Sequence, residues 1–391
     1  MTSSDPALGA DLLALLERLI ALDTSYPHGN LPLLELAAER LGACGASLRW
    51  SWNDDRTKAN LFATIGPADR PGLMLSGHTD VVPAGAQGWS SEPFRLARRD
   101  GRLFGRGTAD MKGFVAAMLA LAPACAAAPL ALPIHFALTY DEEIGCIGVR
   151  RLIEDLRDFA PRPRLCVIGE PTMMRVVTGH KGRKAVRARV LGHPCHSSLN
   201  DQGVNAVEIA AELVARLRAM QRRFREEGPF APGYQPPYTT VHTGLIAGGR
   251  ALNIVPDLCS FEFEIRNLPR HDPDSVMAEV RGWAQDLVPE MLAVSDEAGI
   301  LLDEHTTAGL DMDDDDPAVR LALRLAEGGP TARVSYGTEA GLLQQAGFPT
   351  VVCGPGDIAQ AHKADEFIEI DQLARCEAFL GRLLAFARDP G

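Results

Sequence analysis

The sequence predicts an α/β protein in which helices cover a mixed sheet on both faces and a smaller α+β domain is inserted. Short apolar strands alternate with helical segments over the first 170 residues, which is typical of an α/β/α sandwich. From residue 179 the strands alternate charged and apolar residues, which is typical of a sheet with one solvated face. The first pattern returns near residue 295. We therefore expect a discontinuous domain of residues 1–178 and 295–391 and an inserted domain of residues 179–294.

Composition bounds the class of protein. The chain has 391 residues, 46% of them hydrophobic, which is enough for a large core and two domains. The formal net charge is -12 and no basic stripe is present, so we expect no nucleic-acid partner. None of the 8 cysteines stands in a Cys-x-x-Cys pair, and the first six residues lack the features of a signal peptide. We expect reduced, mostly buried thiols and a cytoplasmic protein.

The spacing of apolar residues sets the elements of the first domain. The predicted helices cover residues 8–22, 33–44, 114–121 and 149–156, the strands cover residues 47–52, 60–65, 73–76, 134–140 and 165–168, and a long glycine-rich loop covers residues 89–113. Residues 114–138 carry no Asp, Glu, Lys or Arg, but Pro123, Pro129 and Pro133 interrupt them. We expect a buried helix, a turn and a core strand there rather than a membrane-spanning helix.

The inserted domain is predicted to run strand, helix, strand, strand, helix, with a weak strand at its end. Its strands cover residues 184–191, 239–246 and 258–266, its helices cover residues 204–220 and 273–287, and the weak strand lies near residues 291–294. The acidic residues 311–316 that follow lack the central glycine and closing glutamate of a calcium loop. We expect them to lead into a helix that begins at Pro317, before a strand near residues 351–356 and a final helix over residues 371–387.

The chemistry centres on residues 77–83, whose sequence is GHTDVVP. A buried strand runs into a turn here, and His78 and Asp80 are two residues apart, so both side chains point to one side of the extended chain. A metal on one ring nitrogen of His78 and Asp80 on the other is an arrangement found in many zinc sites. A plain hydrogen-bonded pair fits the same two residues, so the metal interpretation depends on further ligands.

Further candidate ligands follow other predicted strands and loops. They are Asp110, Glu142, Glu143, Glu170 and His362. Without a cation so many acidic groups would not share a buried site, because like charges raise each other's pKa and an unpaired buried carboxylate is costly. Two metal ions bridged by one carboxylate resolve the repulsion. Imidazole and carboxylate ligands without a thiolate favour Zn²⁺, with Co²⁺ or Mn²⁺ as substitutes.

Each of these residues has a simpler interpretation when it is considered alone. Asp110 could cap a helix that begins near residue 111, and His362 could lie on the surface. Glu142 and Glu143 could belong to a solvated turn. Their coincidence at strand ends is what favours a metal centre, because sites in such sheets form at strand ends.

At these residues the chain resembles the M20 family of dinuclear zinc amidohydrolases and peptidases, over essentially its full length. The resemblance rests on GHTDVVP at 77–83, GRGTADMKG at 105–113, DEE at 141–143, GEP at 169–171 and the late histidine. It implies a zinc-peptidase catalytic domain with an inserted ferredoxin-like domain that serves as lid and dimerisation surface. The implied metal ligands are His78 with Glu170 for one ion, Glu143 with His362 for the other, and Asp110 between them.

The resemblance also implies a mechanism of amide hydrolysis. A water bridging two Zn²⁺ ions would be acidified toward a pKa of ~7 and would attack as hydroxide. Glu142 would act as general base and then pass the proton to the leaving amine. Asp80 would orient His78, and the peptide bond after Asp110 would be cis.

Three residues of the inserted domain match family positions that contact the substrate. His196, in GHPCHSS at 192–198, would reach the oxyanion from the partner subunit of a homodimer. Asn253 and Arg266 would grip the substrate carboxylate, for which the guanidinium fork is well suited. Considered alone, His196 belongs to a loop and Arg266 to an exposed strand.

The implied substrate is a small N-acyl amino acid, and neither nucleic acid nor membrane is an expected partner. Residues 107–114 and 336–341 resemble the acetylornithine deacetylases most, which implies hydrolysis of N2-acetyl-L-ornithine to L-ornithine and acetate in arginine biosynthesis. Glu339 could face the ornithine ammonium, and a structural glutamate in a turn fits equally well. An N-acetylcitrulline deacetylase, an aminoacylase or a succinyl-diaminopimelate desuccinylase would keep the same ligands. A non-catalytic binding protein on this scaffold is remote, because Glu142 and all five ligands are present.

Overall fold

The structure is a computed structural model that describes residues 8–85, 88–159 and 161–390. The first six residues, from which the lack of a signal peptide was judged, lie outside the described residues. The chain divides into two compact units. The first unit runs to Gly179 and also contains Met312–Arg333 and Thr338–Gly391, and the second unit contains His180–Asp311 and Val334–Gly337.

The described residues form α-helices and β-strands that we number separately in chain order. The helices are α1 (Ala10–Ile20), α2 (Leu31–Ala43), α3 (Lys112–Ala127), α4 (Ile147–Asp155), α5 (Ala206–Glu227), α6 (Pro273–Leu292), α7 (Pro317–Leu325), α8 (Ala340–Gln345) and α9 (Ile370–Arg388). The strands are β1 (Ser47–Trp52), β2 (Ala59–Ile65), β3 (Leu73–His78), β4 (Ala97–Arg99), β5 (Arg102–Phe104), β6 (Ile134–Thr139), β7 (Leu165–Pro171), β8 (Val177–His180), β9 (Gly182–Leu191), β10 (Thr240–Gly248), β11 (Leu258–Asn267), β12 (Gly299–Thr307), β13 (Leu310–Asp311), β14 (Ala332–Val334), β15 (Thr350–Gly354) and β16 (Phe367–Glu369). Short 3₁₀ turns lie at Ser197–Gln202 and Ile358–Gln360.

The large sheet is mixed, as the sequence predicts. Its strand order is β1-β2-β6-β3-β7-β15-β8-β13, with β14 beside β8. The central strand β3 pairs in parallel with β6 and with β7, and β7 pairs in parallel with β15, whereas β1, β2 and β6 pair antiparallel. Every residue of β2, β3, β6 and β7 is buried. These strands are apolar runs rather than alternating patterns because both sheet faces are covered.

Helices cover the two faces of this sheet. A Cβ at Gly77 would lie 3.0 Å from Met111 and 3.1 Å from Val115, so α3 packs directly on that face. Gly77 of β3 and Leu61 of β2 both pair with Leu138 of β6, so these positions face the same side of the sheet. Asn60 precedes Leu61 in β2, and its side chain therefore points to the opposite face. There the Asn60 amide donates to the Gly148 carbonyl of α4 at 2.8 Å. The α/β/α arrangement expected from the sequence is confirmed.

Helix α3 continues past Pro123, which was expected to end it. Proline has no N–H, so the carbonyl four residues earlier, on Leu119, loses its helical partner. The Arg40 side chain replaces it, since its Nε donates to that carbonyl at 2.7 Å. The helix therefore runs to Ala127, because a side chain from α2 satisfies the orphaned carbonyl.

The segment predicted as a loop at residues 89–113 contains a β-hairpin. Strands β4 and β5 pair with each other, and β5 also pairs with β16, placing Phe104 opposite Phe367. The pairing joins segments far apart in the chain, and each strand has only three residues. Local sequence patterns therefore do not predict it.

The second unit is a four-stranded antiparallel sheet with two helices. Its strand order is β10-β11-β9-β12, and the chain order β9-α5-β10-β11-α6-β12 is the ferredoxin-like arrangement. Val186, Ala188 and Val190 of β9 are buried in the core, while Arg187 and Arg189 between them are exposed. The alternation predicted for this domain is confirmed.

The strand predicted near residues 291–294 is wrong, and the second unit extends further along the chain than residue 294. Helix α6 continues to Leu292, and the fourth strand is β12, which pairs with β9 from Gly299 to Thr307. Ile300 and Leu302 pack against the core, but the remainder of β12 is mostly polar and exposed or half-buried, so its apolar alternation is too short to predict a strand. Backbone pairing with β9 and cross-strand ion pairs such as Arg189–Asp303 at 3.2 Å hold it, and the longer segment of the unit ends at Asp311.

Two properties expected from composition remain to be compared with the structure. None of the helices in the described ranges has both the length and the apolarity needed to cross a bilayer. All eight cysteines are free, with Cys44 and Cys195 half-buried and the other six buried. The cytoplasmic location stays a prediction.

Candidate metal centre

The candidate ligands of the first unit converge because parallel strands end at the same edge of the sheet. Strand β3 ends at His78, β6 ends three residues before Glu142, and Glu170 is the next-to-last residue of β7. The loop between β5 and α3 delivers Asp110, and the loop between β15 and β16 delivers His362. The peptide between Asp110 and the next residue is cis, as the resemblance implies. The structure thus brings the five expected ligands and Glu142 together.

These side chains form two groups that share Asp110. In the first group the His78 Nε2 atom lies 2.9 Å from Asp110 Oδ1 and 3.6 Å from Glu170 Oε1. In the second group the His362 Nε2 atom lies 3.3 Å from Asp110 Oδ2 and 3.0 Å from Glu143 Oε2. Within each group one donor atom per residue lies within 4.8 Å of the others. Asp110 therefore turns one carboxylate oxygen toward each group.

Burial and mutual repulsion control the protonation of this cluster. Burial raises the pKa of Glu170, and the charge of Asp110 raises it further. The pKa of Glu143 is raised for the same two reasons, although the hydrogen bond with His362 opposes the rise. The hydrogen bonds to Asp110 and Glu143 raise the pKa of His362 to about 10. In the metal-free protein, protons on these groups offset the repulsion between the carboxylates.

The donor set fits divalent cations better than it fits protons. The buried Glu143 Oε1 atom has no hydrogen-bond partner anywhere in the described part of the chain, and leaving such an atom unsatisfied is costly. Each group offers one imidazole nitrogen and two carboxylates, and this mixture of ligands is typical of Zn²⁺ sites. The two groups can therefore hold two divalent ions with Asp110 between them.

Asp80 contacts more than its expected partner. The His78 Nδ1 atom lies 2.9 Å from the backbone carbonyl of Asp80 and 3.6 Å from its carboxylate. The two carboxylate oxygens of Asp80 accept hydrogen bonds from the backbone N–H groups of Glu142 and Glu143, each at 3.1 Å. Asp80 therefore fixes the loop after β6 as well as the ring of His78.

Glu142 lies beside the two groups and belongs to neither among the described residues. Its side chain is half-buried, and burial raises its pKa well above the usual range, with repulsion from Glu143 adding to the rise and His78 opposing it. The buried Cys146 thiol donates to Glu142 Oε1 at 3.3 Å. No local pattern predicts this contact, because Cys146 stands in no recognisable motif.

A second residue missed at the sequence level is Lys58. Its ammonium lies 2.5 Å from the carboxylate of Asp141, the residue that precedes Glu142, and both side chains are largely buried. Lys58 also lies over the ring of Tyr26, 5.1 Å from the ring centroid. The pair joins β2 to the loop after β6, so it anchors the segment that carries Glu142.

Glu339 is only 1% exposed, at the start of α8. Burial raises its pKa to about 7, a rise opposed by the neighbouring Thr139 hydroxyl and by His78. This buried position at the start of a helix fits the structural glutamate that the sequence also allows, since a buried carboxyl with that pKa is partly neutral near pH 7. Its assignment to substrate binding stays a prediction.

The three remaining candidates belong to the second unit, and two of them lie together there. His196 forms an isolated β-bridge with Ile254, and the adjacent backbone N–H of Ser197 donates to the Asn253 carbonyl at 3.1 Å. The His196 ring accepts from the Ser198 backbone N–H at 3.2 Å. The structure therefore brings the His196 turn and Asn253 into contact.

Arg266 lies near the end of β11 in the same unit. Its guanidinium contacts Glu264, with Nε at 2.7 Å from Oε1, and Arg183 contacts the other oxygen of Glu264 at 2.8 Å. One carboxylate thus holds two guanidinium groups side by side, and these bonds lower the pKa of Glu264 although burial opposes them. The pairing orients Arg266. Because Arg266 and Arg183 share the single carboxylate of Glu264, this group of three side chains keeps a net positive charge.

Comparison with known proteins gives a matching family pattern, similar sequences and similar folds. Residues 74–385 match the pattern of Peptidase family M20/M25/M40. The acetylornithine deacetylase of Myxococcus xanthus is 37% identical over 390 residues, which cover 98% of each chain. An M20 family metallo-carboxypeptidase from Sulfolobus solfataricus superposes with a TM-score of 0.77 at 17% identity, covering 97% of this chain and 100% of that one. A dinuclear metal-binding M20 peptidase from Bacillus subtilis superposes with a TM-score of 0.64 at 14% identity, covering 97% and 98%.

Proposed function

The chain belongs to Peptidase family M20/M25/M40, and we propose that it hydrolyses the amide of N-acyl amino acids, with N2-acetyl-L-ornithine as its preferred substrate. It is a metal-dependent hydrolase of this family. The observation that carries the proposed chemistry is the sharing of Asp110 between two metal-ligand groups with Glu142 beside them. The similarity to relatives named acetylornithine deacetylase, at 37% identity for the one from Myxococcus xanthus, supports the proposed substrate.

Two Zn²⁺ ions are the proposed cofactors. His78 and Glu170 would hold one ion, Glu143 and His362 would hold the other, and Asp110 would bind both. When bound, the ions supply Lewis acidity toward the amide carbonyl and toward water. The two ions also explain why the buried carboxylates of this cluster can coexist in the folded protein.

Glu142 is the proposed general base. It would take a proton from the attacking water as the new carbon–oxygen bond forms, and would give that proton to the amine nitrogen as the carbon–nitrogen bond breaks. The products are the free amino acid and the carboxylic acid of the acyl group. The Cys146 thiol and the backbone of the loop, held by Asp80, keep the Glu142 carboxyl in place.

We propose that the second unit supplies the remaining substrate contacts. His196 of a second copy of this chain would donate a hydrogen bond to the developing oxyanion, and Asn253 and Arg266 would bind the substrate carboxylate. The fixed orientation of Arg266 supports this role, because Glu264 holds its Nε while a second guanidinium lies beside it.

A homodimer formed through the second unit is part of the proposal. Strand β10 is one of the two edge strands of its sheet, and Leu245 and Ile246 on it are 64% and 54% exposed. Leu252 and Ile254, in the segment after β10, are also exposed. An exposed apolar edge strand is avoided in monomers, so a second copy of this chain is the partner that we propose to cover it.

The test is a substrate panel with purified protein and added Zn²⁺ or Co²⁺. N2-acetyl-L-ornithine, N-acetyl-L-citrulline, N-acetyl-L-methionine and N-succinyl-diaminopimelate are compared by kcat/KM, with Glu142→Ala as the control. We expect the highest value for acetylornithine and its loss in the control. A higher value for another member of the panel would replace the proposed substrate and keep the reaction class. No turnover of any member by metal-loaded protein would overturn the reaction class and favour a binding role.

A further inference from the structure

Glu366 is a buried carboxylate that the metal groups do not use. It lies four residues after His362 and is 1% exposed. Its Oε2 atom accepts hydrogen bonds from Arg106 Nη1 at 2.6 Å and from the Gly107 backbone at 3.0 Å. Its Oε1 atom accepts from the backbone N–H groups of Ala109 and Asp110 at 2.9 and 3.1 Å. One side chain therefore holds almost the whole loop that delivers Asp110.

The backbone of Glu366 is fixed to the same loop. Its carbonyl accepts a hydrogen bond from the Gly105 N–H at 3.0 Å, and the next residue begins β16, which pairs with β5. The loop itself has little freedom, since Gly107 has a φ of 87° and a Cβ there would lie 2.8 Å from Val81. Glu366 therefore joins the segment that carries His362 to the loop that carries Asp110.

Only a carboxylate satisfies this arrangement. Each oxygen of Glu366 faces two donors, so all four contacts require acceptors. The amide of glutamine would place an NH₂ group against two of those donors and leave them unsatisfied. Arg106 is itself buried and supplies the balancing positive charge, so both members of the ion pair are fixed.

We propose that Glu366 is a positioning residue of the metal centre, which holds Asp110 and His362 at the separation at which both can ligate one metal ion. The inference rests on the proposed two-metal function. Glu366 contacts neither substrate nor metal in this account. It acts through the backbone N–H of Asp110 and through the chain that leads back to His362.

The experiment compares Glu366→Gln with Glu369→Gln. Glu369 lies three residues later and forms an exposed ion pair with Arg102 at 3.5 Å, so its substitution controls for the loss of one negative charge in the same segment. Metal-free protein is titrated with Co²⁺, and binding is followed by calorimetry and by the visible absorption of the bound ion. Circular dichroism and thermal unfolding of the metal-free forms report folding separately.

We expect Glu366→Gln to weaken the binding of one of the two Co²⁺ ions by about 10- to 100-fold and to change its absorption spectrum. Glu369→Gln should match the unsubstituted protein. Normal Co²⁺ affinities and an unchanged spectrum in folded Glu366→Gln would overturn the proposal, even if the variant melts earlier, because that result shows a structural role alone.

A second substitution keeps the test decisive if Glu366→Gln does not fold. Arg106→Gln leaves the carboxylate and its three backbone contacts in place, and we expect a smaller loss of Co²⁺ affinity at one site, about tenfold. Unchanged affinity in folded Arg106→Gln would contradict the proposal in that case. Co²⁺ binding is measured without substrate. Failure of the positioning role of Glu366 is therefore distinguishable from failure of the proposed reaction.

Discussion

Metal binding by this protein is expected to strengthen as the pH rises, because the metal displaces protons from its ligands. The metal-free protein holds a proton on His362, whose pKa is about 10 through its hydrogen bonds to Asp110 and Glu143. The pKa of His78 is also raised, since hydrogen bonds from its ring to Asp110 and Asp80 outweigh the effect of burial. A metal ion binds only the unprotonated imidazole, so each ion must release at least one proton near pH 7.

The magnitude follows from the pKa of His362. Each proton released makes the apparent affinity rise about tenfold per pH unit below the pKa, which is about 1.4 kcal/mol per unit. In the metal-free protein the proton on His362 stabilises the fold fully below pH 6.5, and this contribution is lost as the pH rises toward about 10. The His362 side chain is 54% exposed, so solvent screens its ion pairs; this lowers the pH above which the dependence ends and leaves the slope per released proton unchanged.

The assay is calorimetric titration of chelator-treated protein with Zn²⁺ in two buffers that differ in ionisation enthalpy. The difference in heat gives the number of protons released. Thermal unfolding with and without Zn²⁺ at about pH 6 and pH 8 should show a larger stabilisation by metal at the higher pH. His362→Gln should remove one released proton, whereas His28→Gln, at an exposed histidine next to Asp23, should not. Zero proton release, or metal stabilisation that is flat with pH, would refute the reasoning.

Three further predictions concern catalysis, stability and assembly. Glu142→Gln should lower kcat by about 10²- to 10⁴-fold while the bound metal per chain, measured by plasma emission, stays the same; loss of metal would contradict its place outside the ligand groups. Lys58→Met should lower the free energy of unfolding in urea by about 3 kcal/mol, because it leaves the buried Asp141 without its cation. The exposed ion pair between Arg151 and Asp54, at 3.1 Å, is the control: we expect Arg151→Met to change the free energy of unfolding by less than about 1 kcal/mol, and equal effects of the two substitutions would contradict the role of burial. Leu245→Lys should convert the proposed dimer to a monomer in sedimentation velocity, and a dimer that persists in this variant would exclude β10 as the interface.

Local patterns were sufficient for most of the fold. Strand β1 has the expected limits, and α9 differs from the predicted helix by one residue at each end. The apolar residues of α9 recur with a clear helical period, so the local sequence is enough to predict that helix. The elements that were predicted wrongly depend on contacts between residues far apart in the chain. Strand β12 is mostly exposed and is held by pairing with β9, and α3 passes Pro123 because Arg40 from another helix satisfies the freed carbonyl. Neither contact leaves a trace in the local sequence.

The residues of the candidate site also divide into those that local sequence patterns predict and those that depend on long-range contacts. His78, Glu143 and Glu170 could be singled out because each follows an apolar strand, and parallel strands bring their ends together. Cys146 and Glu366 could not, since a thiol on a carboxylate oxygen and a carboxylate under a distant loop depend on contacts across the fold. The sequence predicts which groups carry the chemistry, and the structure adds the residues that contact them.

The central claim is that Asp110 joins two metal ions in the first unit. Crystals grown with Zn²⁺ and measured on both sides of its absorption edge test this most directly. We expect two anomalous difference peaks, one against His78 and Glu170 and the other against Glu143 and His362, with Asp110 in contact with both. A single peak in this cluster, or two peaks of which one lies away from Asp110, would contradict it.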